Sequence, residues 1–231
     1  MKVSLVSFSQ ASPEFLTAHD LADADVQDLI AFCARVSNPS GQLNMETSAK
    51  LIKYLIKHKH WSPLEMVSAC MEIETTRDIA RQILRHRSFS FQEFSQRYAD
   101  PTKDLEFVTR QARLQDTKNR QNSIDLDMSD EYQGGLQDRW AQMQQRVIDE
   151  AQMVYKWAID HGIAKEQARA VLPEGNTVSR MYMNGTLRSW VHYIELRGAN
   201  GTQKEHMDIA HACARVIADV FPLADEMFEW T

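Results

Sequence analysis

The segment Arg85-His86-Arg87-Ser88-Phe89-Ser90-Phe91-Gln92-Glu93-Phe94-Ser95-Gln96-Arg97-Tyr98 concentrates three arginines, a histidine, a glutamate and three serines in one short run. The chain around it is acidic, with a formal net charge of -6. A basic cluster on an acidic background points to a local anion site, such as the phosphate or carboxylate of a small molecule. Arginine suits that work because its planar guanidinium offers paired donors to phosphate oxygens. A plain basic helix end would also carry cations near the C-terminal carbonyls. It would not need the serines, Glu93 and Arg97 that follow.

Two further clusters carry chemistry-bearing side chains. Arg169-Ala170-Val171-Leu172-Pro173 is followed by Leu187-Arg188-Ser189-Trp190-Val191-His192-Tyr193-Ile194-Glu195-Leu196-Arg197. On a helix Arg188 and His192 are i and i+4 and share a face, with Leu187, Val191 and Ile194 on the other. Taken alone, that pattern also fits a salt-bridged amphipathic helix. His58-Lys59-His60-Trp61-Ser62-Pro63-Leu64-Glu65 raises the question of a metal, but structural zinc sites take four protein ligands and catalytic ones three. His206, Asp208 and His211 are poorly spaced to complete a set, so no metal is expected. A solvated helix cap before Pro63 is the plainer account of that patch.

The first segment resembles the signature of the flavin-dependent thymidylate synthases: Arg-His-Arg, seven residues, then Ser, here Arg85-His86-Arg87 and Ser95, with Glu93 before the serine and Arg97-Tyr98 after it. The Arg169-x-x-Leu172-Pro173 turn and the Leu-Arg-Ser…His…Leu-Arg helix resemble that family's second block, and His60-x-Ser62-Pro63 a third. Gln92 stands where the family usually has Asn, and Thr186 where it often has Asn. The resemblance implies deoxyuridylate binding by Gln82, Arg85, Glu93, Ser95, Arg97, Arg169 and Arg197, with Arg197 and Ser95 as catalytic residues. Arg197 would lie against the uracil ring and help ionise its imide. A fixed guanidinium beside developing negative charge is a sound way to do this. FAD contacts are implied for Ser37, His60, Ser62, Arg85, His86, Arg87, Gln92, Glu93, Thr186, Arg188 and His192. The implied reaction is reductive methylation of deoxyuridylate to thymidylate. Methylenetetrahydrofolate gives the carbon and NADPH reduces the flavin. A homotetramer with sites at its subunit interfaces is implied as well.

The remainder of the sequence limits the other readings. There is no Gly-x-x-x-x-Gly-Lys loop, no Gly-x-Gly-x-x-Gly fingerprint and no Gly-x-Ser-x-Gly elbow. Cys33, Cys70 and Cys213 are odd in number and form no Cys-x-x-Cys pair, as expected of reduced, mostly buried thiols in a cytosolic protein. No apolar run reaches the roughly 20 residues that span a bilayer, and the first residues read as a strand rather than a signal peptide. The acidic balance disfavours a nucleic-acid binder using Arg85–Arg97 with its phenylalanines. A silenced relative that keeps the pocket without catalysis stays open.

The elements that must position these residues follow from periodicity. Helices are predicted over about 24–36, with Val26, Leu29, Ile30 and Cys33 on one stripe, and over 46–59, with Leu51, Ile52, Leu55 and Ile56 inward. Val67, Ala69, Met71 and Ile73 alternate with Ser68, Cys70, Glu72 and Glu74, a strand with one core face. A helix from about Arg77 should pack Ile79, Ala80, Ile83 and Leu84 on it and present Gln82 and Arg85 together on its last turn. Residues 111–131 read as a polar surface insertion. A long helix over 135–161 should turn Leu136, Trp140, Met143, Val147, Ala151, Val154 and Ala158 inward. Shorter helices are predicted over 164–171, 186–197 and 203–220, with no internal repeat. The expected architecture is α+β (mixed α/β): one 231-residue domain with a central, mostly antiparallel sheet and several flanking helices. The resemblance implies the thymidylate synthase-complementing type of fold.

Overall fold

A computed structural model of the protein describes residues 1–21 and 23–224; the last seven residues of the expected domain lie outside them. The element order is β1 (Lys2–Phe8), α1 (Pro13–His19), α2 (Val26–Ala34), α3 (Ser48–Lys57), β2 (Ser68–Thr76), α4 (Arg77–Ile83), β3 (Ser90–Glu93), α5 (Pro101–Asp104), β4 (Arg113–Gln115), β5 (Ser123–Asp125), α6 (Glu131–Asp160), α7 (Lys165–Ala168), β6 (Val178–Thr186), α8 (Leu187–Gly198) and α9 (Lys204–Val220). The main sheet has the order β1-β2-β6-β3, and each of its pairings is antiparallel. The architecture is therefore the expected mixed one.

The alternation read over 67–74 survives as β2, where Ala69, Met71 and Ile73 are buried and Ser68, Cys70, Glu72 and Glu74 are half-buried on the other side. Its partner β6 was not predicted. There the buried positions are Ser179, Met181, Met183 and Gly185, small or flexible residues that carry weak strand propensity. β2 and β6 pair over their full lengths, from Ser68↔Thr186 to Thr76↔Val178. Each ends in a threonine that leads directly into a helix. The two strand–helix units start from opposite ends of the sheet, a repeat of plan that the sequence does not display.

One face of the sheet carries the core. Trp190 of α8 is fully buried and donates its indole N–H to the Ala69 carbonyl at 3.0 Å. Phe89 packs edge-on against Trp190 with ring centroids 4.8 Å apart. Gly185 makes that packing possible: a Cβ there would fall 2.4 Å from the Phe89 ring. Ile209, Cys213 and Ile217 of α9 complete the layer, so Cys213 is sealed in the core while Cys33 and Cys70 are only half-buried.

Other expectations need correction. α4 ends at Ile83, so Arg85 sits in the turn beyond it rather than on its last turn. Thr186 precedes α8 as its N-cap, accepting from the Ser189 N–H. The long helix starts earlier, at Glu131, and its buried stripe is Gln144, Ile148, Ala151, Tyr155 and Ala158. Only Ala151 and Ala158 of the expected stripe belong to it. Trp140, Met143 and Val147 are exposed, and an open groove of about 680 Å³ runs past Met143, Val147, Val154 and Val171. Residues 111–131 contain the β4–β5 hairpin, held to α9 by Arg113–Glu205 and Lys204–Asp125 ion pairs, at 2.6 and 2.7 Å.

Candidate functional site

The two strand–helix units bring the ends of α4 and α8 together. Arg197, on the last turn of α8, donates from Nε to His86 Nε2 at 2.9 Å, so His86 must be neutral with its proton on Nδ1. Burial first, then Arg197 and Arg85, push the His86 pKa down to about 4. The His86 ring stands edge-on to Tyr193 at 4.9 Å. Gln82 lies alongside, donating to Gln203 Oε1 at 2.8 Å with its own Oε1 3.2 Å from His206 Nδ1. His206 is fully buried, and its pKa is pushed down to about 3, by burial ahead of the neighbouring cations. Arg85 lies beyond the helix and is exposed. Gln82, Arg85, His86 and Arg197 thus form one group, a pair of arginines over a floor of neutral hydrogen-bonding side chains.

A second group forms at the start of α4. Glu93, at the end of β3, accepts from Arg81 at 3.0 Å and from Ser179 at 2.9 Å, and lies 3.7 Å from the buried Arg77. Burial, then Arg81, lower the Arg77 pKa, with Glu93 and Glu174 opposing them, and Arg169 adds a smaller push in the lowering direction. Glu93 therefore braces a cationic cluster that Arg169 approaches. Gln92, its neighbour, is exposed and alternates to the other sheet face, opposite Tyr182.

A third group joins the Ser62–Glu65 turn to α8. Arg188 pairs with Glu65, and the His192 ring meets Trp61 edge-on at 4.8 Å. Ser62 is exposed in that turn, and His60, also exposed, lies just before it near Tyr54 and His58. Ser95 and Arg97 line a separate open cleft of about 410 Å³ with Tyr98, Lys165 and Glu166, where Arg97 pairs with Glu166 at 3.2 Å. Arg87 is exposed after α4, and Ser37 is exposed after α2. Among the described residues no ion pair joins Arg85, Arg87, Arg169 or Arg197 to a carboxylate, which leaves four cations available to an anionic ligand.

Arg77, Arg81, Tyr193 and Gln203 are not among the expected site residues, and the sequence offers His206 only as a poorly spaced metal ligand. Arg77 and Arg81 share a helix face at i and i+4, and the Gln203-x-Glu205-His206 run was visible. Only the fold sets them beside Glu93 and Gln82.

The sequence model of the family described as thymidylate synthase complementing protein matches residues 19–223. A probable flavin-dependent thymidylate synthase of Paramecium bursaria Chlorella virus 1 is 48% identical over 204 residues, 88% of this chain and 91% of that one. A flavin-dependent thymidylate synthase of Synechocystis is 46% identical over 204 residues, 88% of this chain and 90% of that one. A UMP/dUMP methylase of Streptomyces cacaoi, solved with 5-Br dUMP, superposes with a TM-score of 0.76 at 25% identity, covering 98% of this chain and 93% of that one.

Proposed function

The chain belongs to the thymidylate synthase complementing protein family, and from that membership and the grouping of Gln82, His86 and Arg197 we propose how it works. It is a flavin-dependent thymidylate synthase, a methyltransferase that converts deoxyuridylate to thymidylate. The observation that carries the chemical reading is the Arg197 guanidinium fixed by a neutral histidine beside an ordered amide. Uracil C5 must become nucleophilic before it takes a carbon. A preorganised cation beside the imide stabilises the negative charge that this requires.

In this reading Gln82 and Arg197 meet the pyrimidine ring, while Arg85, Arg97 and Arg169 with Ser95 take the sugar phosphate. Glu93 braces Arg77 and Arg81 behind that surface. The cofactor is FAD. Its diphosphate calls for cations, and the exposed Arg85 and Arg87 together with Arg188 beside Ser62 and His192 fit that need. His60, Gln92, Ser37 and the backbone around Thr186 would complete its contacts. When bound and reduced by NADPH, the flavin supplies the hydride, and methylenetetrahydrofolate supplies the carbon.

Ser95 and Arg97 line a cleft that includes none of Gln82, Arg85, His86 and Arg197, which supports active sites completed by neighbouring subunits of a homotetramer. The exposed stripe of Trp140, Met143 and Val147 on α6 is suited to such packing. No helix among the described residues is long and apolar enough to cross a membrane, and a cytosolic enzyme of nucleotide synthesis is the reading we adopt. The test is thymidylate formation by purified protein stripped of flavin, given deoxyuridylate, methylenetetrahydrofolate and NADPH. Product that appears only when FAD is restored is expected; no product with FAD bound would sink the assignment.

A further inference from the structure

Gln82 sits in a chain of hydrogen bonds whose direction is fixed from one end. Arg113, in the polar insertion, donates to Glu205 Oε1 at 2.6 Å. Burial alone would raise the Glu205 pKa, but its backbone N–H, Gln203 and Arg113 together hold it below the usual carboxylate value. An ionised carboxylate can only accept. Gln203 must therefore turn its NH2 toward Glu205, as it does at 2.9 Å, and its carbonyl toward Gln82. Gln82 must then give its NH2 to Gln203 and its carbonyl to His206. His206 Nδ1 can satisfy that carbonyl only by carrying its single proton. This leaves Nε2 as an acceptor for the Tyr193 hydroxyl, 3.1 Å away.

A primary amide has two N–H donors and two carbonyl lone pairs. Gln203 takes one donor and His206 one lone pair, so the Gln82 amide keeps one of each, in an orientation it cannot reverse. Without the chain a glutamine amide flips between two nearly isosteric states. The pyrimidine edge distinguishes them. Uracil offers an N3–H donor beside a carbonyl acceptor, and cytosine offers the opposite order, an N3 acceptor beside an amino donor.

We propose that His206 and Glu205 are positioning residues that lock the Gln82 amide in the uracil-reading orientation, and so set the preference for deoxyuridylate over deoxycytidylate. This rests on the reading of Gln82 as a pyrimidine contact. It gives the insertion at 111–131 a role, because Arg113 anchors the carboxylate from which the polarity runs.

The test titrates the flavin-loaded protein with each nucleotide by calorimetry and compares the ratio of dissociation constants. His206→Phe keeps a buried ring but removes the donor, and should lower the preference for deoxyuridylate about tenfold, the worth of one oriented hydrogen bond. Glu205→Gln can present either end of its amide to Gln203 and should lower it similarly from a distance. His206→Asn, whose side-chain nitrogen can stand in for Nδ1, should hold the ratio near the wild-type value. A folded His206→Phe or Glu205→Gln protein with an unchanged ratio overturns the proposal, as does equal weakening for both nucleotides. If His206→Phe does not fold, Glu205→Gln and His206→Asn decide it. Wild-type protein that binds no deoxyuridylate would instead remove the functional reading beneath the proposal.

Discussion

Arg197→Ala separates structural from chemical roles most cleanly. Among the described residues the Arg197 side chain donates to His86 at 2.9 Å from a half-buried position. Losing that hydrogen bond should cost about 1 kcal/mol of stability, or about 2–4 °C in Tm for a chain of this size. Turnover should suffer far more. Removing one preorganised donor from developing negative charge typically costs about 10²–10³ in kcat, roughly 3–4 kcal/mol. The His86 pKa should also rise from about 4, since Arg197 is the largest of the charges depressing it, while burial keeps it below the ordinary 6.5. The assay measures kcat on flavin-loaded protein, flavin content by visible absorbance, and the His86 titration by NMR. A folded, flavin-bound variant with wild-type turnover would refute the role given to Arg197. Loss of flavin in step with turnover would place that residue in cofactor binding instead.

Gly185→Ala should destabilise the protein by about 1–3 kcal/mol through overpacking. Its Cβ would meet two Phe89 ring carbons at 2.4 and 2.6 Å, and Trp190 backs that ring; an unmoved urea midpoint would contradict this. Glu93→Gln should cost about 3 kcal/mol, the low end for breaking a buried pair, because Glu174 still lies 3.7 Å from Arg77. Denaturant melts would check it, and a neutral result would mean the cluster holds without Glu93. His86 and His206 fold with pKa values near 4 and 3, below their unfolded value of 6.5, so on acidification the unfolded chain takes up protons first. Their contribution to stability is fully present above about pH 6.5 and is lost as pH falls toward 4 and then 3. Unfolding free energy measured from pH 7 to 4.5 should fall, less steeply in His206→Asn, and a flat profile would refute neutral burial.

The sequence was most legible where chemistry and apolar alternation coincided. β2 declared itself through Ala69, Met71 and Ile73, and the arginine-rich segment through its residue types. β6 did not, because its buried face is built of Ser179, Met181, Met183 and Gly185, and no propensity argument selects a strand from those. The long helix misled for a different reason. It carries two apolar stripes, and the bulkier one, with Trp140, Met143 and Val147, faces outward in the single chain. Periodicity identifies a helix but cannot say which stripe meets its own core and which is left for a partner. His206 drew notice only as a poorly spaced metal ligand, because its role depends on Gln82, 124 positions away, and on Tyr193 one helix earlier.

The most direct measurement is a single turnover without NADPH. Flavin-loaded protein is photoreduced anaerobically and mixed with deoxyuridylate and methylenetetrahydrofolate, while flavin oxidation and thymidylate are followed together. About one thymidylate should form for each flavin reoxidised if the reduced flavin supplies the hydride as proposed. Flavin that stays reduced, or reoxidises without thymidylate, would contradict that proposal.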